Sequence, residues 1–414
     1  MAGTKSPVRR RRASELLKSA VNFGASARRR RKGYLIDGNM RLGIDASNLR
    51  SGGSVTHLSE LLRAARPEQH GIERVFVWGG RNILCHLPER EWLERIHEPT
   101  LDGSLPLRVW WQQTKLSRLA KEAACDLLFI PGGTYLGDFR PFVTMSRNVL
   151  PFDFSQVRLY GVSAMPLRFL LLRYTQATTF RNAGGTIFLD DYARSLIIKQ
   201  VGKLDGPDVI IPHGVSARFR AAPKEQKHAA TYSKEAPFKL LYVSTIDAYK
   251  HQWHVVEAVS KLIHKGVPVT LELVGGAHPP SLKRLRRAIE RFDAREYINY
   301  RGPVPHAELP ETYARADAFI FASSCENLPN TLLEAMSAGL PIACANKDPM
   351  PKILGEGGIY FDPEDPEEIA AALHQLVASP HAREQYASIA SERARPYTWE
   401  RCADETFTFL KSII

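Results

Sequence analysis

The chain has 414 residues, and no apolar run in it approaches the roughly 18 residues needed to cross a bilayer. Its five cysteines (Cys85, Cys125, Cys325, Cys344 and Cys402) include no Cys-x-x-Cys pair. An odd, scattered set argues against a disulfide framework or a cysteine-based zinc site, and reads as the reduced thiols of a cytosolic protein. No Asp-x-Asp occurs, so a paired carboxylate clamp for a divalent cation is missing. No repeat of fixed period is present, and the 28 glycines and 27 prolines are spread along the chain, which excludes solenoid and low-complexity architectures. No apolar stretch of signal-peptide length follows the N-terminal arginines, so a secretory leader is not expected.

What is present is ordinary for a globular protein, at 44% hydrophobic and 24% charged residues. The length predicts two or three domains. The formal net charge of +12 is unevenly placed: residues 1–33 hold eleven Lys and Arg against Glu15 alone, a net +10, leaving +2 for the rest. The basic character therefore belongs to an arm, residues 1–39, expected to be disordered by self-repulsion. Such an arm suits an anionic membrane surface or nucleic acid. Alternatively, Met40 is the true start, since it directly precedes the first clear strand.

Beyond the arm, short apolar runs alternate with helical patterns. They are RLGID (41–45), RVFVWGG (74–80), DLLFIPGG (126–133), PFVTM (141–145), GTIFL (185–189) and DVIIP (208–212), then FKLLYVS (238–244), VTLELVGG (269–276), YINYRG (297–302), AFIFAS (318–323), PIACA (341–345) and GIYFD (358–362). Fully apolar strands that end in Gly, Ser, Pro or Asp and lead into helices predict buried parallel strands in βα units. The fold class expected is α/β, with two Rossmann-like doubly wound domains facing an interdomain cleft. The first spans 40–215, the polar stretch 216–237 links, and the second spans 238–395. The segment 396–414 is an amphipathic helix that could pack back on the first domain.

The stretch SSCENLPNTLLEAMSAGLP (323–341) carries the chemistry. A buried strand ends, a turn follows, and Pro329 suits the first position of a helix, because a proline there forfeits no hydrogen bond. The helix is predicted over Pro329–Ala338, stopped by Gly339-Leu340-Pro341. Its N-terminal amides, from Asn330 and Thr331, form a site for a phosphate. Glu326 in the turn and Glu334 in the helix would repel that phosphate themselves. As acceptors for hydroxyl groups on either side of it they make sense, and a nucleoside diphosphate sugar has hydroxyls on both sides. The plainer reading takes Glu326 as a cap-side acid and Glu334 as an exposed helical residue.

These residues resemble the Glu-x7-Glu signature of retaining glycosyltransferase family 4, which has the GT-B fold. LLYVSTIDAYKHQWHVVEAV (240–259) is similar to the first strand, donor loop and helix of that family's C-terminal domain, and RLGIDASNLRSGGSVTHLSELL (41–62) to its N-terminal strand and Gly-Gly loop. VIIPHGV, LELVGG and GGIYFDPEDPEEIAAAL also match. The resemblance covers residues 41–414 and is strongest over 238–375. It implies that Glu326 lies beside the donor sugar and Glu334 binds the ribose. Lys250 would steady the diphosphate, with Gly52 and Gly53 approaching from the other domain. The backbone from Gly302 to Val304 would meet the base. Ser244, Thr245, Asn327, Leu328, Asn330 and Thr331 complete the donor set, with Glu326 and Lys250 as the catalytic pair.

The chain departs from the family at three places. The usual Gly-Arg of the donor loop is Ser244-Thr245, so one cation is missing and Lys250 or another arginine must carry its charge. The usual Gly-x-Gly after the first glutamate is Asn327-Leu328-Pro329. The histidine often found after the fourth N-terminal strand is absent, and Arg147, Asn148 and Asp153 stand as acceptor-side candidates instead. The activity implied is transfer of a sugar, with retention, from a nucleotide diphosphate sugar to a saccharide or lipid-linked acceptor in polysaccharide or lipopolysaccharide synthesis. No cofactor and no metal is expected. The stretch 160–181, apolar with Arg168, Arg173 and Arg181, is either an ordinary buried helix or one that lies on a membrane surface, placing the protein in the cytoplasm at the inner face of the membrane. His251 and His254 at i, i+3 lack an evident third metal ligand. His213 reads as a loop residue and Asp190-Asp191 as a helix cap. The competing readings are a GT-B sugar-nucleotide epimerase and a nucleic-acid-binding protein using the arginine arm, the latter disfavoured by the near-neutral body.

Overall fold

The computed structural model describes residues 40–50 and 52–414; the expectations for residues 1–39 lie outside them. Among the described residues the apolar runs form parallel strands in two sheets. The first holds β1 (Met40–Asp45), β2 (Ile72–Gly79), β3 (Leu93–His97), β4 (Leu127–Ile130), β5 (Phe142–Ser146), β6 (Gly185–Phe188) and β7 (Asp208–Ile210), in the order β3-β2-β1-β4-β5-β6-β7. The second holds β8 (Phe238–Val243), β9 (Val269–Val274), β10 (Ile298–Gly302), β11 (Ala318–Phe321), β12 (Ile342–Ala345) and β13 (Gly358–Phe361), in the order β10-β9-β8-β11-β12-β13. Strands β4, β5, β6, β11 and β12 are buried at every residue, as sheets covered by helices on both faces require.

Only β3 escapes the sequence pattern. It is an edge strand, LERIH, with Leu93 buried and Glu94 and Arg95 exposed, and its polar alternation does not read as a buried strand. In each sheet the strand order reverses once, between β1 and β4 and between β8 and β11. Such switch points leave a crevice at the strands' C-terminal ends, where ligands of open α/β sheets bind.

Two chain crossings join the sheets. Residues 216–237 run as short turns held by Arg383, a fully buried arginine. Its guanidinium donates to Gln226 Oε1 (2.9 Å), Val377 O (2.8 Å) and Lys227 O, and lies against the rings of Tyr232 and Phe238. Alongside, Val215 N donates to Tyr397 O at 3.1 Å, and the helix Trp399–Ser412 returns to the first sheet. Trp399, Phe407 and Leu410 are buried there, Trp399 edge-on to His57 at 5.3 Å between ring centroids. Phe409 and Ile413 press against Gly185 of β6 so closely that a Cβ there would lie 2.9 Å from each.

Two histidines sit where these pieces meet. His213, in the loop after β7, is buried and faces Leu328 O at 2.9 Å, so its Nε2 carries the proton and donates. His57 is buried with neither ring nitrogen hydrogen-bonded. Burial, aided by the positive Arg147, pushes His213 down to about 4. Burial likewise holds His57 well below the ordinary value, with Arg147 and His213 adding to it. Both rings are neutral in the fold and charge readily in the unfolded chain. Their contribution is therefore complete above pH 6.5 and is lost as pH falls through the folded values. The melting temperature should hold steady above about pH 7 and fall between pH 6.5 and 4, with a shallower fall in the double variant His57→Gln, His213→Gln. An unchanged pH slope in that variant would mean that neither ring is held neutral.

Candidate active site

The segment after β11 is held from both sheets. Ser324 N donates to Tyr249 O at 2.8 Å, and Ser324 Oγ meets His251 Nε2 at 2.8 Å and Gln156 Oε1 at 2.5 Å. Asn327 Nδ2 donates to Ser146 O, at the end of β5, at 3.0 Å, and Leu328 O takes the His213 proton. Pro329 is the residue before the helix, not its first member. With ψ at 112° it is extended, and the helix runs Asn330–Ser337, one residue shorter at each end than predicted. Gly339, at φ +67°, ends it where a side chain would meet Pro223 backbone at 2.7 Å, so glycine is required twice over.

Lys250 follows β8 and Glu326 follows β11, so they flank the switch point of the second sheet. The two form an ion pair, with side chains only 10% and 13% exposed. The Lys250 ammonium also lies over the rings of Tyr249 (4.9 Å) and Phe321 (5.3 Å). The lysine's position is set by a short helical turn, Ala248–Lys250, capped by the Asp247 carboxylate and ended by His251 in the left-handed region at φ +52°. Tyr242 OH donates to Lys250 O at 2.8 Å and fixes the backbone.

Glu334 is buried, not the exposed helical residue of the plainer reading. Tyr313 OH donates to its Oε2 at 3.0 Å; burial, with Glu334 adding, pushes that phenol well up, so the proton stays on it. On the other oxygen, His306 Nε2 lies 3.2 Å from Oε1. Arg218, a donor only, bonds His306 Nδ1, so Nε2 carries the proton that points at Glu334. His306 follows β10 close to Gly302 and Val304, and with Tyr313 and Arg218 it was not signalled by the glutamate pattern. The histidine in VPH, just past a strand end, was the one visible cue.

The remaining candidates divide. Gly52, at φ +62°, is the residue before the helix Gly53–Ala64. A Cβ on Gly53 would lie 3.2 Å from Asn330 Nδ2 and 3.8 Å from Arg147 Nη2, so the Gly-Gly loop, Arg147 and the start of the second-sheet helix converge. Ser244 Oγ takes a hydrogen bond from Gln252 at 3.1 Å, while Thr245 is exposed. Thr331 O lies 3.2 Å from the Tyr313 hydroxyl oxygen, whose one proton goes to Glu334. Gly302 has φ +81° at the end of β10, and Val304 is partly buried beside the core. Asn148 is exposed and its side chain accepts from Leu150 N at 3.1 Å. Asp153 caps a short helix through Ser155 N at 3.0 Å, yet its charge still reaches Cys325, next to Glu326. Asp190 caps the helix Asp191–Val201, with burial pushing its carboxyl up to about 6. His251 and His254 stack at 5.4 Å, and no group of three potential metal ligands occurs among the described residues.

The arrangement sets a cation and a carboxylate at a switch point, beside a helix start and opposite a glycine loop. It can bind an anion through Lys250 and the amides, and hydroxyl groups through the two glutamates.

Comparison with known proteins finds relatives in sequence and in fold. Residues 223–393 match the family model "Glycosyl transferases group 1". The O-antigen chain mannosyltransferase B of Escherichia coli is 30% identical over 174 residues, which is 41% of this chain and 45% of that protein, so the chain spans less than half of that relative's length. The sucrose-phosphate synthase of Thermosynechococcus elongatus superposes with a TM-score of 0.71 at 16% identity, over 90% of this chain and 98% of the other. Anabaena HepE, solved in complex with UDP, gives 0.63 at 19%, over 90% and 100%. Together these findings give the two sheets the GT-B fold, and over residues 223–393 the chain is similar to the glycosyl transferases group 1 family.

Proposed function

We propose that the protein transfers a sugar, with retention at the anomeric carbon, from a nucleoside diphosphate sugar to a saccharide or lipid-linked acceptor, as a family 4 enzyme of polysaccharide or lipopolysaccharide synthesis. One observation carries this reading: the Lys250–Glu326 pair at the switch point of the second sheet, next to the start of the helix Asn330–Ser337. The relative named for O-antigen synthesis and the neighbour solved with UDP support the substrate class.

In this reading the diphosphate takes the place of Glu326 at Lys250, and the freed carboxylate accepts a hydroxyl of the sugar. Glu334, held by Tyr313 and His306, uses its remaining lone pairs for the ribose. The bond from the sugar's C1 to the phosphate oxygen breaks, and the acceptor oxygen joins C1 on the same face. The acceptor's proton goes to the departing phosphate oxygen, so no protein nucleophile is required. Lys250 and the helix amides hold the charge that develops on the leaving group, a contribution of about 3 kcal/mol for a well-placed contact. No metal has a role. Nothing in the fold or the comparisons favours the epimerase or the nucleic-acid reading.

A membrane surface is the second partner proposed. In the helix Ala164–Asn182, Phe169, Gln176, Thr179 and Phe180 face the core, while Leu167 (72% exposed), Leu170, Leu171 (65%) and Tyr174 (69%) form a solvent stripe at i, i+3, i+4 and i+7. Val162 and Leu159 extend it, and Arg158 and Arg168 lie exposed among these residues. Exposed apolar residues with two exposed arginines among them suit the interface of an anionic bilayer, each arginine near the surface adding about 1 kcal/mol. No described helix is long and apolar enough to cross the membrane.

A nucleoside diphosphate at 100 times its dissociation constant should add about 2.7 kcal/mol of stability. Glu326→Gln and Lys250→Met should each cut turnover by at least about a hundredfold, and a chelator should leave it unchanged. Transfer at the parent rate by both variants would remove the proposal. Pelleting with phosphatidylglycerol vesicles should weaken at high salt and be lost in Leu167→Asp, Leu171→Asp, without loss of donor binding; equal pelleting of parent and variant would reject the surface.

A further inference from the structure

Arg147 follows β5 and points to where the two sheets meet. Its Nη2 donates to Gly53 O at 2.5 Å, while Nε and Nη1 are buried with no hydrogen-bond partner. Among the described residues no carboxylate lies within ion-pair distance of it. Its surroundings are positive or neutral: the first turns of the helices Gly53–Ala64 and Asn330–Ser337, the rings of His57 and His213, and the Cys402 thiol, raised to about 12 by burial and so protonated. Burial lowers the guanidinium itself to about 10, yet it stays charged at neutral pH. A half-buried cation with two nitrogens out of water and no carboxylate beside it is costly for a fold to hold. Here it stands between two helix N-termini, each of which also favours an anion.

We infer that Arg147 is a diphosphate-binding residue, supplied by the first sheet to complete the anion site that Lys250 forms from the second. The inference rests on the donor site proposed above, and it moves Arg147 from the acceptor side to the donor side. The planar guanidinium offers two parallel N–H donors to one phosphate, whereas Lys250 offers a point charge. The two cations come from different sheets, so a diphosphate bound by both ties the sheets together. The cation absent at Ser244-Thr245 is thereby replaced from across the cleft.

The test is calorimetry with the full chain and UDP, GDP and ADP, followed by the same measurement with the monophosphate of the base that binds. Arg147→Met should weaken the diphosphate by tenfold or more and the monophosphate much less, and Arg147→Lys should recover part of the loss. The unliganded Met variant should melt no lower than the parent, because it loses an uncompensated charge whose Nε and Nη1 are out of water. If Arg147 served only to hold Gly53, the Met variant would melt lower and bind the diphosphate as the parent does, which would overturn the inference. If Lys250→Met loses the diphosphate while Arg147→Met does not, Arg147 is misassigned and the donor site stands. If the parent binds none of the three diphosphates, the donor site and the inference fail together.

Discussion

The buried pair of Lys250 and Glu326 is the constraint on which the site depends. An ion pair removed from water recovers its desolvation cost only with good geometry, and an apolar pair of similar size is often as stable. Stability alone therefore gives little reason for this pair. Its placement gives a better one: each charge closes one side of the β8–β11 switch point, and the rings of Tyr249 and Phe321 keep the lysine in a low-dielectric pocket. There each partner serves as the counter-charge that lets the other be buried. A ligand with a phosphate for the lysine and a hydroxyl for the carboxylate exchanges one set of partners for another without leaving either charge bare.

The second constraint is the strap from Ser323 to Pro329. Asn327 reaches Ser146, His213 reaches Leu328, and Ser324 meets Gln156; Tyr160 OH bonds Asp247 Oδ1 at 2.9 Å close by. Each joins the first sheet to the second. Hydrogen bonds of this kind contribute about 0.5–1.5 kcal/mol apiece, so four of them favour this arrangement of the two sheets by a few kcal/mol. That is enough to set the geometry and little enough for a ligand to compete with. The chain crossings at 215–237 and 397–399, by contrast, are covalent, and Val215, Phe219 and Trp399 anchor them in the core.

How much of this was legible follows from where the information lies. Apolar runs such as AFIFAS and PIACA announce buried parallel strands because both faces are covered, whereas LERIH, at the sheet edge, keeps polar residues and stays hidden. The helix from Asn330 was visible through its proline and its Gly-Leu-Pro stop, with only the ends misplaced. Glu326 and Glu334 stood out by spacing. Their partners did not, because Tyr313 and His306 come from other βα units and no local pattern records a contact across 21 or 28 residues. Arg147 was visible as a candidate, but its role depends on Gly53 and Asn330, which are far from it in sequence and meet it only across the cleft.

The distribution of unpartnered polar atoms sharpens the case. Arg147 Nε and Nη1, Ser146 Oγ, Asn327 Oδ1 and both nitrogens of His57 are buried without hydrogen bonds, and all belong to the region where β5, the Gly-Gly loop and the strap approach one another. A buried polar atom left unpaired costs about 1–3 kcal/mol, and native folds hold few of them. Several in one place represent a stability penalty that core packing elsewhere must offset. Such clustering is characteristic of surfaces shaped for a ligand rich in donors and acceptors, where the penalty is relieved on binding. A diphosphate flanked by two sets of hydroxyls has that character, and its charge has the sign that Arg147, Lys250 and the two helix starts all favour.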